Sequence, residues 1–379
     1  MTGRMTRLFA ATTIALSLVL AGGAPGQTTQ PAPSTAPAER KTLALPPGFR
    51  LVVEGDRRVL CQEGDEAWVR QALADKSPTT RPTTMPSDLA ERLGASRPAL
   101  VDRLTADLAL TDRTAAAKFV DEQLIPLLAG AARYRPPVFY LVTTRDTLRE
   151  IVKNGWSDPT NRYHYNRAAD QVAIPTQLQL SMEGESDDQV LAVLHTPEQD
   201  LTARRELLTR LMLDTESQLN YFLSARALFL VQMELLEFIG RSTIEPLGLG
   251  RDDQQWFGVG VSGVLSARYL AMINGSAPDS FLPAMTQDDR RNPVRSATVN
   301  LLNPMSPADM RPAARPAYAD AVRRKSTTVV KSWMDRAGDA ALPKVIAAIR
   351  AAPPADGAAL VKLIAAQTGI DLTADLQPR

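Results

Sequence analysis

Thiol and imidazole groups are scarce in this chain. Cys61 is the one cysteine among 379 residues, so no intramolecular disulfide can form, even in a compartment that favours one. Two histidines are present, His164 and His195, and neither sits on a predicted helix with the spacing of a metal-ligating pair. Charge of one sign is lacking too: 43 Lys and Arg stand against 42 Asp and Glu, a formal net charge of +1. Loss of Arg4 and Arg7 with an N-terminal leader turns this into −1, which offers no overall field for nucleic acid or anionic lipid. Only eight of the basic residues are lysine, the bias of a GC-rich bacterial genome rather than of chemistry. Beyond the first two dozen residues every hydrophobic run is broken by Arg, Glu, Asp or Pro within a few turns, so no further membrane span is expected. No tandem repeat of fixed period is visible.

What is present begins with an export pattern. Arg4 and Arg7 precede an apolar run from Leu8 to Leu20, followed by Ala21, Gly22, Gly23 and Ala24. That run has 13 residues, fewer than the roughly 20 a spanning helix needs, and it reads as a secretory signal peptide over residues 1–23. Residues 24–40 are Pro, Ala, Thr and Gln without apolar periodicity, an extended tether. The sequence then divides into an N-terminal hairpin and helices (41–134), a sheet with central helices (135–275) and a C-terminal helical region (276–379).

Within the first part, Phe49 to Val53 and Arg57 to Cys61 read as a hairpin about Glu54-Gly55-Asp56, followed by a helix from Asp65 to Ala74 and an exposed breaker stretch, KSPTTRPTTMPS. Helical spacing runs from Asp88 to Tyr134, with breaks expected near Ser96-Arg97-Pro98 and Leu110-Thr111-Asp112. Pro137 to Thr143 is a strand leading into a helix over Asp146 to Lys153, and Gln171 to Leu180 and Gln189 to His195 are further strands. After Pro197 the pattern is helical: 201–225, 228–240, 253–273, 316–337, 342–351 and 358–367. Leu208, Leu211, Met212, Thr215, Leu219 and Phe222 mark one buried face. The fold class is therefore α+β, a small mixed or antiparallel sheet followed by a mainly helical domain.

Several motifs invite chemistry. Glu234 and Glu237 interrupt the apolar segment Leu228 to Ile239 and stand about 60° apart around the helix, so they can share a pocket or a metal; alternatively Glu237 pairs with Arg241 at i+4. Gly258, Gly260 and Gly263 spell GxGxxG, yet no strand precedes them. Gly260, Gly263, Ala267 and Ala271 instead form a small-residue stripe that lets a second helix approach, with the Leu228 helix expected as the neighbour. Ser262 lies in an incomplete GxSxG and has no histidine after it. Cys61 reads as a packed small hydrophobe, and Arg323, Arg324 and Lys325 as a solvated helix face.

The order of sheet, central helix, a second helix opening on tryptophan and a helical tail, from Pro137 to the C-terminus, resembles gluzincin metallopeptidases. In that family the central helix carries HExxH, two zinc-binding histidines around a general-base glutamate. Here the matching stretch is Met233-Glu234-Leu235-Leu236-Glu237: Glu234 keeps the base position, while Met233 and Glu237 occupy ligand positions. The third ligand position, in Trp256-Phe257-Gly258-Val259-Gly260, holds Val259. Leu360 to Leu376 is similar to the closing helix and "tG-D-L" turn. Thioether and isopropyl groups bind zinc poorly, so the resemblance implies a domain without its metal and no cofactor. Two readings remain. One is an exported non-catalytic protein with a binding or structural role toward an unidentified envelope or extracellular partner. The other is an exported hydrolase with a site around Glu234 and Glu237, with His164 and His195 as further candidates.

Overall fold

The computed structural model describes residues 48–55, 57–74, 86–133, 138–144, 147, 172–173, 190–195, 201–244, 246–288 and 292–379. The leader, the tether, the breaker stretch at 75–85, nearly all of the expected helix at 146–153, His164 and most of the 171–180 segment lie outside the described residues. In chain order the strands and helices are β1 (Phe49–Glu54), β2 (Arg57–Gln62), α1 (Glu66–Ala74), α2 (Pro86–Asp107), α3 (Arg113–Phe119), α4 (Ile125–Arg133), β3 (Val138–Thr143), β4 (Val172–Ala173) and β5 (Val190–His195). There follow α5 (Leu201–Thr243), α6 (Gln255–Asn274), α7 (Leu282–Thr286), α8 (Arg315–Ala337), α9 (Ala341–Ala351), α10 (Gly357–Thr368) and α11 (Thr373–Leu376). The fold is α+β with a small mixed sheet, and it forms two units that interleave along the chain. One holds the described residues of 27–86 and 133–226; the other holds those of 87–132 and 227–379.

The first unit carries the sheet, in strand order β1-β2-β3-β5-β4. The hairpin forms as the sequence predicts, with Phe49 opposite Gln62, Glu54 opposite Arg57, and Gly55 in the turn at φ 56°, a conformation glycine adopts without steric cost. β2, β3 and β5 run parallel, while β4 pairs antiparallel with β5. Val59, Leu60 and Cys61 are buried in succession, as befits an inner strand covered on both faces. Burial, and then the charges of Glu66 and Asp65, push the Cys61 thiol up to about 12, which keeps it from acting as a thiolate. Leu208, Leu211 and Met212 of α5 join Val52, Val59, Cys61, Tyr140 and Val142 in one core cluster. Thr215 and Leu219 of the predicted face are buried as well; the Phe222 side chain lies outside what is described. Asp65 accepts from Trp68 Nε1 (2.8 Å) and Arg204 Nη1 (3.3 Å), pinning α1 to α5.

The second unit is helical, and in four places it departs from the sequence expectation. α2 runs through Pro98 without ending. A mid-helix proline costs about 3 kcal/mol, but Leu93, Leu100, Val101, Leu104 and Leu108 on both sides of it are buried, and at roughly 1.5–3 kcal/mol for each fully buried side chain that term outweighs the break. The second expected break does occur: Ala109 takes a left-handed φ of 45°, Leu110 N–H bonds to Thr105 O, and Arg350 Nη1 caps Ala109 O at 2.6 Å. Asp112 then starts α3 by accepting from Thr114 N–H. Between α3 and α4 the helix widens to a π-turn over Val120–Leu124, where Ile125 N–H reaches Val120 O; Pro126, with no N–H, cannot continue the ordinary ladder.

The second departure is α5, which is one helix of 43 residues rather than two. Arg226 and Ala227, at the expected gap, include neither glycine nor proline, and both are good helix formers. The third concerns the small-residue stripe of α6. A Cβ on Gly260 would lie closer than 3.0 Å to Val330 Cγ2 and to the Ser326 carbonyl, and one on Gly263 would strike Thr327 Oγ1. The neighbour is therefore α8; the C-terminal end of α5 meets α6 at Gly258 and Ser262 instead. The fourth is the basic triplet of α8, which is buried rather than solvated. Gly275, at φ 65°, ends α6 where Asn274-Gly275 predicts. By length and composition α6 is, among the described residues, apolar enough to cross a membrane, and 83% of that span is buried inside the protein.

Candidate functional site

α5 presents the candidate carboxylates from its outer side. Leu228, Val231, Gln232, Leu235 and Ile239 form its buried face, Met233 and Glu234 are half-buried, and Glu237 and Arg241 are exposed. Glu237 Oε1 accepts from Arg241 Nη2, the i+4 pair that is one of the two sequence readings. Desolvation, followed by the charge of Glu237, raises the Glu234 carboxyl above its usual value against the pull of Arg241. Because the Glu237–Arg241 pair is solvent-exposed, it contributes only about 0.3–0.5 kcal/mol. Thermal melts of Glu237→Gln, Arg241→Gln and the double variant should accordingly lie within about 0.5 kcal/mol of one another; a coupling of several kcal/mol would mean a buried pair.

The remaining sequence candidates are dispersed over other elements. Val259 is half-buried on α6, beside the fully buried Trp256, whose ring meets Phe257 edge-on at 5.8 Å. Ser262 is buried and donates to Gly258 O at 2.7 Å, so its hydroxyl serves the helix. Gly258, Gly260 and Gly263 stand inside α6, where the helical ladder engages the backbone N–H groups that a phosphate cradle would need free. His195 ends β5 beside Thr143 in the parallel register, in the sheet unit, whereas Glu234 and Glu237 belong to the helical unit. Among the described residues, no three His, Cys, Asp or Glu side chains group closely enough to hold a metal ion.

Among the described residues, a dense polar arrangement lies on α8, at the triplet whose charge suggests a solvated face. Arg323, Arg324 and Lys325 are all buried, with exposures of 6%, 2% and 6%. Three consecutive helical residues span about 200° of the circumference, so a narrow solvated face cannot hold all three on a helix that also buries Val329, Val330, Trp333 and Met334; that is the signal the sequence offers. Asp320 accepts from Arg323 Nη2 at 2.5 Å and from Arg324 Nε at 2.7 Å, and Asn292 Nδ2 adds a bond at 3.1 Å. Desolvation pushes the Asp320 carboxyl up, but the two guanidinium groups outweigh it and hold it below the usual range. Burial pulls the Lys325 ammonium down, as does the charge of Arg379.

Three cations against one carboxylate leave an excess of positive charge, and backbone carbonyls absorb it. Arg324 Nη1 donates to Ala284 O (3.3 Å) and to Gln287 O at the end of α7. Lys325 Nζ donates to Val299 O (2.6 Å) and to Gln377 O (2.5 Å), just past α11. Cations at helix C-termini also meet the negative end of the dipole. Arg323 Nη1 (3.5 Å) and Gln232 Nε2 of α5 (3.1 Å) both point at the thioether sulfur of Met285. The arrangement is thus a clamp that draws α7, the 292–299 loop and the C-terminal residues onto α8, and its donors are directed at acceptors within the chain. No protein-family model, curated protein or solved structure matches this chain.

Proposed function

We propose that this chain is an exported, non-catalytic protein of gluzincin-like design that binds or supports a partner in the cell envelope or outside the cell. The observation that carries the reading is the placement of Glu237: the residue at the second zinc-ligand position of the resemblance is exposed and paired with Arg241. Val259 at the third position has no ligand atom to offer, and Met233 offers only a thioether. Other candidate chemistry supports packing instead, through Ser262 within α6 and Gly260 and Gly263 against α8. A second reading, a hydrolase centred on Glu234, draws on the raised carboxyl of that residue, the direction a general acid requires.

Protein recovered from the envelope fraction is expected to begin after Gly23 or Ala24, to carry no stoichiometric zinc and to leave casein and general peptide substrates intact. Glu234→Gln should change none of these. Metal analysis finding about one zinc per chain, lost in Glu234→Gln or Glu237→Gln, or a hydrolytic activity that Glu234→Gln abolishes, would establish the enzyme reading instead. An intact Met1 on membrane-bound protein would overturn export with cleavage.

A further inference from the structure

We propose that Met285 is a built-in oxidation site, at which peroxide converts the thioether to a sulfoxide that the folded core accepts through Gln232 and Arg323. The starting point is an imbalance in hydrogen bonding. Gln232 Nε2 and Arg323 Nη1 belong to side chains only 5% and 6% exposed, and both are aimed at the Met285 sulfur, at 3.1 and 3.5 Å. A thioether is a weak acceptor, whereas a charged guanidinium and a primary amide are strong donors, so this corner of the core holds more donor capacity than its acceptor can use. A sulfoxide oxygen is a strong acceptor, and one added to Met285 beside the lines from sulfur to the donors lets Gln232 and Arg323 turn from the sulfur to the oxygen.

The donors also bear on the rate. The sulfur lone pair attacks the nearer oxygen of hydrogen peroxide; the S–O bond forms as the O–O bond breaks, sulfur is oxidised by two electrons and the peroxide is reduced. The departing oxygen takes the electron pair and, with the proton released from the transferred oxygen, leaves as water. Negative charge grows on the oxygens during this step, and fixed donors beside a reacting centre stabilise such charge. Buried methionines elsewhere in the same unit set the comparison. Met334 is 3% exposed and Met310 9%, and among the described residues neither sulfur faces a pair of buried donors of this kind. A sulfoxide there would bury a polar oxygen without compensation, which normally disrupts a core. Met305, 54% exposed, reports the reagent itself.

The test treats the folded full-length protein with hydrogen peroxide and follows each methionine by peptide mass spectrometry. Met305 should oxidise early, and Met285 about tenfold faster than the comparably buried Met334 or Met310, the factor one well-placed hydrogen bond supplies. Protein oxidised at Met285 should keep its melting temperature. Gln232→Leu should slow Met285 several-fold while leaving Met305 unchanged, and Met285→Leu should leave only the slower oxidation of Met334 and Met310 in the core. Met285 reacting no faster than Met334 in the wild-type chain, or its oxidation lowering the melting temperature, would overturn the proposal; the wild-type comparison decides this even if a variant folds poorly.

Discussion

Asp320→Asn should cost the helical unit about 3 to 5 kcal/mol, the usual penalty for removing one partner of a buried ion pair. The side chain is buried between Arg323 and Arg324, so neutralising it leaves two guanidinium groups in the core without a counter-charge. For a unit of this size, where each kcal/mol moves the midpoint by roughly 2–4 °C, the melting temperature should fall by on the order of 10 °C. Circular dichroism melts check this, and the double variant Asp320→Asn, Arg323→Met should lose less than the two single changes together, because the shared interaction can be removed only once. Acid should reproduce part of the effect. A carboxyl held below its ordinary value stabilises the fold at any pH above that ordinary value, and the contribution is lost as pH falls through the lowered one. An Asp320→Asn protein that melts like the parent would show that the carbonyls alone hold the three cations.

Gly260→Ala is the second large effect, expected to destabilise by about 3 kcal/mol or more. Alanine is the better helix former by about 1 kcal/mol, so an open helix position gains from this change. At Gly260 the new methyl would enter space held by Val330 and by the Ser326 carbonyl. Val330 can rotate or shift, but a helix carbonyl cannot move without breaking its ladder, and α6 and α8 would have to separate. Gly94, an exposed position in α2 where an added methyl would meet nothing within 4 Å, is the control: Gly94→Ala should raise stability by up to about 1 kcal/mol. Equal melting shifts for the two variants would mean that the α6–α8 contact tolerates separation.

Legibility in the sequence follows the range of the physics involved. Local signals carry through to the structure: Gly55 in the hairpin turn, the break at Leu110-Thr111-Asp112, Asn274-Gly275 as a stop, and the Leu208, Leu211, Met212, Thr215, Leu219 face of α5. Pro98 misleads because its cost is local and fixed, while the burial that overrides it depends on elements far along the chain. The stripe on α6 announces a close helix neighbour but cannot name it, since a stripe describes one surface and the partner residues of α8 lie more than fifty residues on. Of the candidate site, the i+4 pair of Glu237 and Arg241 is legible as one alternative. The convergence of Gln232, Met285 and Arg323 is not, because three separate elements supply it. The basic triplet misleads when charge is taken as a sign of solvent, although three neighbours spread over about 200° of the helix fit a narrow solvated face poorly.

The interleaving of the two units sets an order of events during synthesis. Leu89, Leu93, Leu100 and Leu104 of α2 are fully buried in the helical unit, in a cluster whose other members lie mainly at or beyond Ala227. The 94 residues of 133–226 must be made first, and at ordinary translation rates that interval is roughly 5 to 20 s. Throughout it, an apolar helix face has left the ribosome with most of its partners still unmade. A nascent chain in that condition is a substrate for holding chaperones and a hazard for self-association, and the burden falls on the early segment even though the late one supplies the clamp.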